Sequence, residues 1–119
     1  LIPKTPEAAV LTIEFDNPVF HEGVNVTVRA GDKWSKRLRL GDYFTPVRKG
    51  CTDDAPTHID CVIGIFYCPL DELPDGLLVH EHDPACRTKA GLATELARIY
   101  GPGKNRLVTA IVWLRKEKS

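Results

Sequence analysis

Two apolar runs constrain the fold most. Residues 59–68 (IDCVIGIFYC) and 107–114 (LVTAIVWL) are apolar on nearly both faces, as central strands covered on both sides should be. Between them, Leu92, Leu96, Ile99 and Tyr100 recur at the spacing of one helical face, and Gly101-Pro102 supplies a stop. Thr88 is read as the start of the regular helix. Asp83 before Pro84 is a second candidate, with the chemistry of a cap and first-turn pair. Gly91 argues against a rigid first turn.

Shorter strands precede these elements. Residues 10–15 alternate, with Leu11, Ile13 and Phe15 on one side. Residues 24–29 alternate more sharply, turning Val24, Val26 and Val28 inward and aligning Asn25, Thr27 and Arg29 on the other face. That polar row is either a ligand-holding face or the solvent side of an antiparallel strand. Residues 43–48 form a further strand, whose Pro46 predicts an edge position or a bulge. Residues 50–56, rich in Asp, Thr and Pro, are the expected mobile loop. Strands dominate and the helix comes late, so an α+β, mainly β architecture follows, a curled sheet or small barrel closed by a helix. With 119 residues, of which 43% are hydrophobic, one domain spanning 1–119 accounts for the chain.

The formal net charge is zero, but the charges are segregated. Residues 50–83 hold eight carboxylates and no lysine or arginine. Before them, Arg29, Lys33, Lys36, Arg37, Arg39, Arg48 and Lys49 face only Asp32 and Asp42. After them, residues 87–119 carry eight basic groups against Glu95 and Glu117. Either the basic segments meet on one polarised surface, or the blocks neutralise one another across the fold.

No run of about 18 apolar residues is present, and the N-terminal residues lack a basic-then-apolar leader pattern, so a cytoplasmic, non-membrane protein is expected. Cys51, Cys61, Cys68 and Cys86 contain no CxxC pair and are expected as free thiols. His80, His82 and Cys86, joined by Cys68, match no common zinc spacing, so neither metal nor cofactor is expected. Nucleophile-elbow, P-loop and dinucleotide motifs are absent. His80 and His82 beside Glu81 and Asp83 form either an acid/base cluster or an exposed polar loop.

The succession GVNVTVR, LGDYF, FYCPLDELP, LATELARIYG and LVTAIVWLRK resembles the ASCH superfamily over residues 22–116. The resemblance implies a PUA-like curled β-barrel of about five to six strands with one main helix before the last strand. It also implies a cleft for RNA or a nucleoside-like ligand, and, by analogy with small bacterial members, amidohydrolase chemistry on acetylated cytidine. In those enzymes a lysine and a threonine act with a glutamate before the helix. The threonine matches Thr27 and the neighbouring arginine Arg29, whereas the lysine position is Val24 and the glutamate falls near Ala85. Valine supplies neither proton nor lone pair, so whether the chain is an enzyme stays open.

The leading expectation is a module binding RNA or another nucleic acid through a basic cleft. That cleft lies between the T-x-R strand and the basic connector, and uses Asn25, Thr27, Arg29, Lys33, Trp34, Lys36, Arg37 and Arg39. Trp34 also reads as a core anchor with Leu38 and Leu40. The alternative is a hydrolase acting on a modified nucleoside or on RNA, with Thr27, His82 and Asp83 as candidate catalytic residues. A third is a protein-interaction domain using the acidic loop.

Overall fold

A computed structural model describes residues 11–15, 20–49, 60–103 and 105–115. Five strands form one mixed sheet: β1 (Leu11–Phe15), β2 (Gly23–Ala30), β3 (Tyr43–Arg48), β4 (Asp60–Pro69) and β5 (Leu107–Arg115), in the order β1-β3-β4-β5-β2. Helices α1 (Lys33–Arg37), α2 (Asp75–Leu78) and α3 (Lys89–Tyr100) join them, α3 preceding the last strand. The class is α+β, mainly β.

β5 is an interior strand, antiparallel to both β2 and β4. Its apolarity on both faces has a direct cause. Val108, Ala110 and Val112 enter a core completed by Val26 and Val28 of β2, Leu70, Leu73, Leu78 and Cys86, and Leu92 and Leu96 of α3. Ile111 and Trp113 point the other way, into a second core with Ile13, Phe15, Trp34, Leu38, Phe44 and Val62. A period of two thus supplies both cores from one strand. β4 departs from the same expectation, because Ile63, Phe66 and Tyr67 are exposed along it.

β1 and β3 run parallel, and Pro46 pairs in register with Ile13. β3 is therefore an interior strand, and the expected edge position is not found. Its described ladder with β4 covers only Tyr43↔Cys61 and Phe44↔Asp60, so Pro46 lies past the point where a missing N–H would break it.

β1 and β2 are the two ends of the sheet, yet curling brings them together. Arg29 Nη2 of β2 donates to the Glu14 carbonyl of β1 at 2.7 Å, and the Arg29 guanidinium lies 4.7 Å from the Phe15 ring centroid. No backbone ladder joins the two strands among the described residues, so the barrel expected from sequence is an open, curled sheet. The expected mobile loop at 50–56 lies outside the described residues.

Both candidate helix starts are used, each for its own element. The Asp83 carboxylate accepts from the Ala85 amide at 3.0 Å and caps a 3₁₀ turn at Pro84–Cys86. Thr88 Oγ1 accepts from the Gly91 amide at 3.1 Å and caps α3. Gly91 has a steric reason: a Cβ there would overlap the Ala85 carbonyl, so glycine lets the turn fold against the helix.

Candidate functional site

The segment after α2 is fastened to the free edge of β2. Val26 N–H donates to the His80 carbonyl at 2.9 Å, and His82 N–H donates to the Val26 carbonyl at 3.0 Å, forming one parallel bridge between Val26 and Glu81. Arg87 Nε secures the Glu81 carbonyl at 2.9 Å. These bonds satisfy part of an edge that would otherwise be open, and they deliver Glu81, His82 and Asp83 to one place.

A cleft of about 450 Å³ opens there, bounded by the facing edges of β1 and β2, this segment, and the last turns of α3. Its polar lining includes Thr27, Arg29, Glu81, His82 and Asp83; Phe15, Leu92 and Leu96 supply apolar wall. Ile99 and Tyr100, which the helical spacing assigned to the core face, are half exposed and line the same cleft. The helix therefore spends its first apolar turns on the core and its last on the cleft.

Glu81 is 2% exposed. Its Oε1 accepts from the Asp83 amide at 3.2 Å and lies 3.3 Å from His82 Nε2, while its Oε2 has no hydrogen-bond partner among the described residues. Burial pushes its carboxyl up from 4.5 to about 8; the Asp83 charge adds to the rise, whereas the Asp83 amide, Arg29 and the Val28 amide oppose it. Nearby Cys86 is pushed up to about 12, by burial first and then by Glu81, Asp83 and Glu95, which makes it an unreactive thiol. His82 inserts its ring among aromatics, 5.1 Å from Phe15 and 5.3 Å from Phe20.

A second pocket of about 420 Å³ adjoins the first and shares Glu14, Arg29 and Tyr100 with it; Lys33, Trp34 and Arg37 of α1 complete its wall with Thr12 and Ala30. Arg37 and Lys33 both lie over the Trp34 ring, at 5.0 and 5.5 Å from its centroid. The two pockets differ in charge. The first has Glu14, Glu81, Asp83 and Glu95 against Arg29, Lys49 and Arg98, so it is not basic; the second has Arg29, Lys33 and Arg37 against Glu14 alone.

The sequence matches no family model, and no curated protein matches it. Among solved structures, the chain is similar to the crystal structure of an ASCH domain from Lactobacillus crispatus JV V101, with a TM-score of 0.46 and 8% identity. The likeness is distant. It covers 77% of this chain and 62% of that one, so the chain spans less than two thirds of that structure's length.

The sequence candidates separate into groups. Thr27, Arg29, His82 and Asp83 converge on the first cleft, and Lys33, Trp34 and Arg37 with Arg29 on the second. Asn25 is fully buried, its amide accepting from the His21 N–H at 3.2 Å and donating to the His21 carbonyl at 2.6 Å, and it lines neither pocket. Lys36 is exposed and pairs with Asp32 at 2.9 Å, which raises the Lys36 pKa and lowers that of Asp32. Arg39 is exposed and lines neither pocket, and Val24 is only half buried. Trp34 is buried with Leu38, whereas Leu40 is 68% exposed and outside that cluster.

Thr27 and Asn25 also correct the choice offered for the polar row. It is not a solvent face, because the curl of the sheet covers it.

Proposed function

We propose that the chain is a nucleic-acid-binding module. A base or nucleoside occupies the cleft beside Thr27 and Glu81, and the sugar-phosphate chain lies along Arg29, Lys33 and Arg37. The observation that carries this reading is the adjacency of the two pockets through Arg29. A slot with apolar walls and mixed charge suits a neutral ring, and the cationic ledge beside it suits phosphates. The exposed half of Tyr100 stands between them as a stacking surface.

Binding of a short single-stranded RNA should weaken steeply as salt is raised. At fixed salt, the double reversal Lys33→Glu/Arg37→Glu should weaken it about tenfold or more, because both groups line the ledge. Lys36→Glu/Arg39→Glu, which alters two residues outside both pockets, should change it about twofold at most. Equal losses in the two doubles, or binding indifferent to salt, would overturn the reading.

A hydrolase acting on a modified nucleoside is the second reading. It is favoured by the meeting of Glu81, His82 and Thr27 in one cleft. Incubation with acetylated cytidine and with short RNA, followed by chromatography, is expected to leave both intact. A product that disappears in Glu81→Gln would favour the hydrolase.

A further inference from the structure

Glu81 is an expensive residue in its position. Its Oε2 is a buried polar atom on the wall of a cleft and makes no well-aligned hydrogen bond among the described residues; the Val28 amide acts on the carboxyl too weakly to offset burial, so the oxygen is left under-satisfied. A hydrophobic residue would pack there without that cost. A ligand atom that completes the hydrogen bond would offset it.

We propose that Glu81 is held as a carboxylic acid whose Oε2–H donates to a neutral acceptor in the cleft, a ring carbonyl oxygen or ring nitrogen of an unpaired base. The proposal rests on the nucleic-acid reading above and names what its cleft selects. The contacts favour one oxygen for the proton. Oε1 takes the Asp83 amide and faces His82 Nε2, so it is the better-satisfied acceptor, which leaves Oε2 for the hydrogen. Thr27 lines the same cleft, and because its Oγ1 accepts from Arg29 Nε at 3.3 Å, its hydroxyl proton is left over for a second acceptor.

The surroundings favour the neutral acid. Around Glu81 stand Asp83 and His82 from its own segment, Cys86 from the next turn, Arg29 from β2, and Glu95 and Arg98 from α3. Glu14 and Lys49 are at the cleft wall opposite. Arg98 is bound to Glu95 at 2.6 Å, and Arg29 is engaged by Thr27 and the Glu14 carbonyl, so burial outweighs the cations. A phosphate would meet several carboxylates here, whereas a neutral acceptor meets a donor row.

The test uses short oligocytidylate, whose base has no ionisation of its own between about pH 6 and 9, and an abasic phosphodiester of equal length. Binding to the wild type, Glu81→Gln and Glu81→Ala is followed by fluorescence anisotropy across that range. The wild type should hold its oligocytidylate affinity to neutral pH and lose about tenfold by pH 9. Glu81→Gln keeps a donor and should show a flat profile; Glu81→Ala should bind about tenfold more weakly throughout. Binding of the abasic chain should be the same in all three proteins.

A flat wild-type profile, or one that Glu81→Gln reproduces, overturns the proposal while leaving nucleic-acid binding intact. Binding of neither probe overturns the nucleic-acid reading and this proposal together. Should Glu81→Ala not fold, the wild type and Glu81→Gln still decide the matter.

Discussion

Replacing Trp113 with alanine is expected to destabilise the protein by about 3–5 kcal/mol, a large part of the total stability of a domain this size. Trp113 is fully buried, and its ring lies 5.4 Å from Phe44, 5.6 Å from Phe20, 5.8 Å from Phe15 and 6.4 Å from His82. Those contacts tie β5 to β1, to β3 and to the segment that carries Glu81. Truncation leaves a cavity that fixed backbone on several sides cannot close.

Trp113→Phe should cost much less, about 1–2 kcal/mol. Phenylalanine keeps most of the aromatic contact and removes an indole N–H that has no partner among the described residues. Urea denaturation of the two variants checks this. Equal losses would mean that the indole N–H is satisfied and that losing its hydrogen bond, not the cavity, sets the cost; a loss below about 1 kcal/mol in the alanine variant would mean that the inner core lies elsewhere.

The contrast between Trp113 and Glu81 shows what could be read from the chain. The five strands and α3 announced themselves because burial on one or two faces imposes periods of two and 3.6. Trp113 belongs to such a run, and its burial follows from the pattern. Thr88 and Asp83 were readable as caps because a side-chain oxygen before a helix answers a local need.

Glu81 depends on no local rule. A single bridge to Val26, far away in sequence, helps to bury it, and the string HEHD reads more readily as an exposed polar loop. Asn25 misled for a related reason: alternation assigned it a face, but only the curl of the sheet decides whether that face meets solvent. Helix α1 was missed because five residues give too little period to detect.

The charge blocks also needed three dimensions. Arg115 of the last basic block makes a buried pair with Asp60 of the acidic block at 2.9 Å, so those two blocks partly neutralise each other. The first basic block pairs internally through Lys36 and Asp32 and places Lys33 and Arg37 on the ledge.

Glu81→Gln should stabilise the folded protein at pH 7 by about 3 kcal/mol, with the sign following from burial. The folded carboxyl titrates near 8 and the unfolded one near 4.5. Below pH 4.5 both states hold the proton, and the acid imposes no ionisation penalty. As pH rises from 4.5 to 8, the unfolded chain releases its proton while the folded chain retains it, so the folded state loses stability steadily; above 8 both are ionised and the loss is complete.

Glutamine has no proton to release and escapes this loss. The difference in melting temperature between the variant and the wild type should therefore be small in acid, widen through neutrality and level off above pH 8. A constant difference at all pH values would show that Glu81 titrates alike in both states. A side chain that already weakens the fold at neutral pH is hard to justify by packing, and a role in the cleft supplies the compensating gain.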